Sequence, residues 1–255
     1  MGECALLIKS QLHFMKKAMI FAAGLGTRLK PFTDNHPKAL AQVNGKTLLE
    51  RNVHFLYQAG IREIVVNTHH FADQVEAAVG LIAMPELKIH LSHEKDGPFE
   101  TGGGLAYARH YFDTDTAPFV VMNVDMLTNI SLQRMMNYHL SHHPLATLAV
   151  TNRDSSRKLL FDQEMQLAGW QNVKAREFKW VKNEVEHTKA FAFSGIHIID
   201  PAIFDLIPQS GKFSITDLYL TLAREHKILG FDHSGDLVLD VGKPESLTKA
   251  ELLFN

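Results

Sequence analysis

The stretch FAAGLGTRLKPFTDNHPKAL, Phe21 to Leu40, starts as a buried strand would, then sets two glycines, Arg28, Lys30, Lys38 and two X-Pro breaks where a helix might follow. A glycine-rich turn leaving a strand exposes several backbone N–H groups with no Cβ in the way, and such donors form a nest for phosphate oxygens. Arg28 and Lys38 add full positive charge. For the two glycines alone, a tight packing turn beside solvated cations is the better account. Three features favour phosphate: Thr27-Arg28 directly after Gly26, Lys38 after a proline, and the place of the element at the first strand of an alternating pattern. Ligands of such sheets bind beyond the carboxyl ends of the strands.

Outward from this stretch, short continuous apolar runs alternate with helical periods from Lys17 onward, the grammar of an α/β sheet covered on both faces. Strands are expected at 18–23, 63–67, 88–93 and 119–122. Leu49, Val53 and Leu56 keep helical spacing up to Gly60, a C-cap glycine, and 105–111 and 131–140 read as further helices, the latter capped by Ser131. The first half is therefore βαβαβαβα. After a strand at 146–151 come shorter strands at 159–162, 168–170 and 191–199 around a charged, aperiodic run at 174–189, which together suggest an antiparallel layer added to one side. Asp200-Pro201 opens a short helix, Ser214 to Asp217 resembles a capping box, and 228–233 and 237–240 return to strand.

Residues 1–14 show neither period nor turn grammar and are expected to lie outside the fold as an extension. Residues 15–255 are expected to form a single domain, with a lid-like layer contributed mainly by 150–200. A chain of 255 residues, 45% hydrophobic and 21% charged, can bury a full core. Its net charge of -2 gives no basic field for nucleic acid or an anionic membrane, so cations that matter must be local. One cysteine and no apolar run near the ~20 residues of a membrane span make the cytoplasm the expected compartment. The pairs His69-His70 and His142-His143 are adjacent in sequence, so their side chains diverge and make no chelating face.

A dinucleotide-binding fingerprint fails at Leu29, where the third glycine belongs, and a P-loop fails for want of GK[ST]. AAGLGTRLKPFTDNHPKAL instead resembles the signature of the sugar-1-phosphate nucleotidyltransferases. SHEKDGPFETGGGL (92–105) is similar to that family's nucleotide-contacting segment, FVVMNVD (119–125) to its metal-binding strand end, and LDVGKPE (239–245) to its second acidic motif. ETGGG and the compact length resemble N-acetylmuramate-1-phosphate uridylyltransferases and short mannose- or heptose-1-phosphate guanylyltransferases. The resemblance and the pattern together imply an α/β, Rossmann-like three-layer sandwich: a central mixed, mostly parallel sheet and a small antiparallel layer on the sugar side.

The resemblance implies attack of a sugar 1-phosphate on the α-phosphorus of a nucleoside triphosphate, with pyrophosphate leaving and Mg2+ held by Asp125 and Asp240. Arg28 and Lys38 are implied to grip the phosphates and, with Asp125, to carry catalysis. Ala22, Ala23, Gly24, Gly26, Thr27, Glu100, Thr101, Gly102 and Gly103 are implied nucleotide contacts, the glycines letting the base approach the backbone. Asn123, Gly195 and Glu184 are implied on the sugar side. Val124 departs from the family's N-G-D, Lys243 from its D-V-G-T, and Val238 from an aromatic. Two other classes stay open at this point: a nucleotide-sugar-dependent glycosyltransferase, and a catalytically silent nucleotide-sugar sensor. Base, sugar and oligomeric state are not readable from the residues.

Overall fold

The computed structural model describes residues 16–114, 116–183, 185–207 and 210–254, so the expected extension at 1–14 and Glu184 lie outside the described residues. The first half runs β1 (Lys17–Phe21), a loop of three short 3-10 turns, a hairpin of β2 (Gln42–Val43) and β3 (Lys46–Thr47), and α1 (Leu48–Gln58). It continues through β4 (Glu63–Thr68), α2 (Ala72–Gly80), β5 (Lys88–His93), α3 (Glu100–Tyr107), β6 (Phe119–Asn123), β7 (Met126–Thr128) and α4 (Leu132–His142). Local chemistry sets the ends of these helices. Thr47 and Ser131 accept from the N–H groups of Glu50 and Arg134, and Gly60 takes φ 97° just past α1.

β1 pairs in parallel with β4 on one side and β6 on the other, and β4 with β5. Ala18 and Ile20 of β1 join the apolar cluster under α1, α2 and α4, while Met19 and Phe21 join the opposite cluster with Leu105 of α3. Both faces of the strand are thus buried, which is why its sequence is continuously apolar rather than alternating. Removing the Met19, Ile20 or Phe21 side chain from water contributes about 1.5–3 kcal/mol each, and the Ala18 methyl less.

The second half comprises β8 (Ala146–Thr151), β9 (Arg157–Phe161), β10 (Leu167–Asn172), β11 (Glu177–Trp180), β12 (Lys189–Ile199), α5 (Ile203–Leu206), α6 (Ile215–Leu222), β13 (Ile228–Asp232), β14 (Val238–Asp240) and α7 (Pro244–Leu253). The sheet order is β11-β10-β9-β12-β6-β1-β4-β5, with β8 paired to β12 and β13 to β8. This is the expected three-layer α/β fold with a mixed sheet. The antiparallel part is continuous with that sheet, because β12 pairs β9 through Lys189–Phe191 and β6 through Ile196–Ile199.

Three local readings are corrected. The run at 174–189 is not only a connection: it contains β11, whose Phe178 and Trp180 stack with ring centroids 6.0 Å apart. The helix expected at 105–111 is α3, which begins at Glu100 and takes the glycine triplet into its first turns. At 200–201, Asp200 Oδ1 accepts from Ala202 N at 2.8 Å, but the helix itself starts at Ile203.

Candidate active site

β1 delivers the chain into the glycine turn, and Asn67 at the neighbouring end of β4 holds the exit: Ala22 N and Ala23 N donate to Asn67 Oδ1 at 2.6 and 3.3 Å. Gly26 then adopts φ 60°, and its carbonyl accepts from Leu29 N at 2.8 Å and Thr33 Oγ1 at 3.0 Å. A Cβ on Gly26 would meet Thr33 Cγ2 at 2.9 Å and Lys38 Cβ at 3.0 Å, so both space and backbone conformation demand glycine there.

Two adjoining cavities share Phe21, Gly24, Gly26, Thr27 and Thr101. The first, about 330 Å³, adds Leu25, Asn67, Pro98, Glu100 and Lys212. The second, about 250 Å³, adds Arg28, Lys38, Asn123, Asp125 and Gly242. One side is therefore mainly apolar with a polar rim, and the other carries the ions.

Asp125 follows β6 on a turn that three bonds fix: Asn52 Nδ2 donates to Val124 O at 2.7 Å, Val124 N to Phe21 O at 3.1 Å, and Val241 N to Asp125 O at 2.8 Å. The Val124 side chain is buried in the main apolar cluster, which accounts for a valine at that position. β14 pairs antiparallel with β7 so that Asp240 lies opposite Met126, and this ladder brings the two acidic motifs side by side. Lys38 Nζ donates to Asp125 Oδ2, and Arg28 Nη2 lies 3.7 Å from Asp240 Oδ2. Gly242 makes room for the second pair. A Cβ there would stand 2.6 Å from Asp240 Oδ1 and 2.7 Å from Arg28 Nη2.

Asp240 Oδ1 is buried with no hydrogen-bond partner among the described residues. A buried carboxylate oxygen left in that state costs free energy unless another donor or a cation reaches it. No group of three or more His, Cys, Asp or Glu side chains among the described residues is arranged to hold a metal; Asp125 and Asp240 are two carboxylates that the β7–β14 ladder brings near each other.

The remaining expected residues separate into two sets. Glu100, with φ 59° at the first position of α3, and Thr101 line the first cavity. Gly102 and Gly103 do not: both N–H groups donate to Phe213 O, at 3.0 and 3.2 Å, and Cβ atoms on them would stand 2.4 Å from the Phe213 ring and 2.0 Å from Gly211 O. Their bareness admits the 211–213 segment of the same chain at these two positions. Gly195, at φ 66°, likewise clears space for a neighbour. A Cβ there would meet Asn123 Nδ2 at 2.7 Å, and Asn123 itself lines the second cavity.

Sequence reasoning passed over Asn52, Asn67, Glu94 and Lys212. Glu94 is fully buried, with Oε1 accepting from Asn67 Nδ2 at 2.7 Å and Oε2 from Phe99 N at 2.8 Å. Burial pushes its carboxyl pKa up, against the two hydrogen bonds and His69, which pull it down. The signal available for it was a carboxylate directly after the expected strand at 88–93. Lys212 Nζ stands 3.7 Å from Glu100 Oε1 at the cavity rim.

The protein-family model described as nucleotidyl transferase matches residues 17–254. The chain belongs to the nucleotidyl transferase family. This nucleotidyl transferase is 33% identical over 244 residues to the N-acetylmuramate alpha-1-phosphate uridylyltransferase of Neisseria meningitidis serogroup B, covering 93% of this chain and 97% of that protein. It is 27% identical over 245 residues to a mannose-1-phosphate guanylyltransferase catalytic subunit beta of Xenopus tropicalis, where it spans 64% of the longer relative. HddC from Yersinia pseudotuberculosis, solved with GMP-PN, superposes with a TM-score of 0.74 at 22% identity, over 94% of this chain and 100% of that one. The UTP-bound UGPase of Acinetobacter baumannii gives 0.76 at 19% identity, over 94% and 93%. These two likenesses are of fold.

Proposed function

We propose that the protein transfers a nucleoside monophosphate from a nucleoside triphosphate to a sugar 1-phosphate, giving a nucleotide sugar and pyrophosphate. The observation that carries this reading is the convergence of two cation–carboxylate pairs, Lys38–Asp125 and Arg28–Asp240, on a cavity that opens from a glycine turn. The phosphate oxygen of the sugar attacks the α-phosphorus in line, and the bond from that phosphorus to the bridging oxygen of pyrophosphate breaks. Such a step calls for alignment and charge neutralisation, with no protein nucleophile. Lys38 and Arg28 supply the charge, and their carboxylate partners hold them in place before phosphates arrive.

Asp125 and Asp240 suit Mg2+, which prefers hard oxygen ligands and usually takes one or two carboxylates plus substrate phosphates. Asp240 Oδ1, buried without a hydrogen-bond partner among the described residues, supports that fit. Bound there, the ion would neutralise charge on the reacting phosphates. The apolar first cavity fits the nucleoside, and Asn123, which lines the second cavity beside the ion pairs, fits the sugar. UTP with N-acetylmuramate 1-phosphate is the first pair to test, since the relative matched over 97% of its length carries that activity in its name. GTP with mannose 1-phosphate is the second.

Pyrophosphate release across a panel of nucleoside triphosphates and sugar 1-phosphates tests the proposal. Release with one pair, and its reversal by added pyrophosphate, is the expected result. Silence across the panel, with sugar transfer from a preformed nucleotide sugar to an acceptor, would establish a glycosyltransferase instead.

A further inference from the structure

Between the two walls of the nucleoside-side cavity runs a buried chain of hydrogen bonds. Ala22 N and Ala23 N donate to Asn67 Oδ1, Asn67 Nδ2 donates to Glu94 Oε1, and Phe99 N donates to Glu94 Oε2. Ala22 and Ala23 lead into the glycine turn, and Phe99 leads into Glu100 and Thr101, so the chain ties one wall of the cavity to the other. Asn67 is 2% exposed and Glu94 0%. Gly104 is the third glycine of the triplet, and a Cβ on it would stand 2.6 Å from Glu94 Oε1 and 2.8 Å from Asn67 Nδ2. That position is bare to admit this pair.

The direction of every bond is fixed. Two backbone donors occupy Asn67 Oδ1, which forces its NH2 toward Glu94. Glu94 must then accept at both oxygens, one from Asn67 and one from Phe99, and an ionised carboxylate is the side chain that does so. We propose that Asn67 and Glu94 are positioning residues that set the spacing between the glycine turn and the start of α3, and thereby the affinity for the nucleoside triphosphate. The proposal rests on the nucleotidyl-transfer reading for its kinetic readout.

The polarity of the chain supplies the test. Glu94→Gln puts an NH2 against either the Asn67 NH2 or the Phe99 N–H. Asn67→Asp sets a carboxylate against the Glu94 carboxylate. Each single variant should raise the KM for the triphosphate ~10- to 100-fold, the cost of one mismatched buried group, with kcat and the KM for sugar 1-phosphate little changed. In the double variant Asn67→Asp/Glu94→Gln the chain is complementary again: Asp accepts from Ala22 and Ala23 at one oxygen and from the Gln NH2 at the other, while the Gln oxygen accepts from Phe99 N. The double variant should therefore bind triphosphate more tightly than either single one, and Gly104→Ala should reproduce the single-variant KM effect.

Triphosphate affinity is also measured directly by calorimetry, and melting temperature without ligand. A double variant no better than the worse single one overturns the proposal. So does rescue of melting temperature with no change in triphosphate KM or affinity in the singles, which would make the chain structural only. If the wild-type protein binds triphosphate but releases no pyrophosphate, the nucleotidyl-transfer reading fails while the calorimetric comparison still decides the role of Asn67 and Glu94.

Discussion

Lys38 Nζ donates to Asp125 Oδ2 between side chains that are only 9% and 18% exposed, so each ion is the other's principal counter-charge until a phosphate or a metal competes for it. On the proposed function, ligand binding here would be an exchange of partners: the ammonium would pass to phosphate, and the carboxylate would become free to take a cation. Asp125→Asn abolishes the second half of that exchange. Turnover should fall ~10²- to 10⁴-fold, and excess chelator should do the same to the wild-type enzyme. Initial rates of pyrophosphate release with and without chelator check both, and undiminished wild-type turnover in chelator would remove the metal from the reaction.

Gly242→Ala tests the second pair without touching either charge. The added methyl would enter the gap between Asp240 Oδ1 and Arg28 Nη2, where 2.6 and 2.7 Å are available. Both groups shift together, and a misplacement of about 1 Å in such a site can cost ~10²-fold in rate. The loss should appear in kcat, with a melting temperature close to wild type, because Arg28 and Asp240 are 57% and 37% exposed and an exposed pair adds little to stability.

Arg28→Ala should lower kcat more than it weakens triphosphate binding. The guanidinium can make two parallel bonds to phosphate, and their strength grows as charge moves onto the leaving pyrophosphate. Steady-state kinetics with two sugar phosphates separates this from an effect on sugar choice. Changes confined to sugar preference, at full kcat, would show that the glycine turn and Arg28 do not face the triphosphate.

Stability should fall on acidification. His197, fully buried with Nδ1 2.7 Å from the Tyr219 hydroxyl, has its pKa pushed down to about 3 by desolvation, and His139 to about 4 by desolvation and His143. Each is neutral in the folded protein but takes a proton near pH 6.5 once unfolded. The unfolded state therefore binds more protons below that pH, and stability is present above about 6.5 and lost progressively toward 3 or 4. At pH 5 the loss is about 2 kcal/mol for each histidine. The raised carboxyl pKa of Glu94 acts with the opposite sign. Denaturant melts of wild type and His197→Phe between pH 7 and 5 check this, the variant showing the shallower dependence.

The sheet is legible where its strands are buried and read as nearly unbroken apolar runs, as in β1, β4 and β6; the edge strand at 88–93, KIHLSH, is legible from its alternation instead. Helix ends are legible where the cap is itself a residue type: Ser131, through its hydroxyl, and Gly60, through its left-handed backbone. β11 is hard to see because it is only four residues long, EFKW, exposed at the sheet edge and set inside a run of charges. In the site, Arg28, Lys38, Asp125 and Asp240 came from contiguous motifs. Asn67 and Glu94 did not, since their meaning lies in a bond between two strand ends that no local spacing announces. The glycines at 102 and 103 were visible as bare positions, but sequence does not say whether a ligand or Phe213 comes close.

β12 gives the protein one rigid spar shared by two layers. Its first three residues pair with β9, its last four with β6, and its ladder to β8 shifts register only between Phe193 and His197, around Gly195 at φ 66°. Continuous pairing through β12 joins the antiparallel layer directly to the central sheet, and the one interruption of its ladder to β8 lies where Asn123 fills the space beside Gly195, so a twist there would be felt at a side chain lining the second cavity.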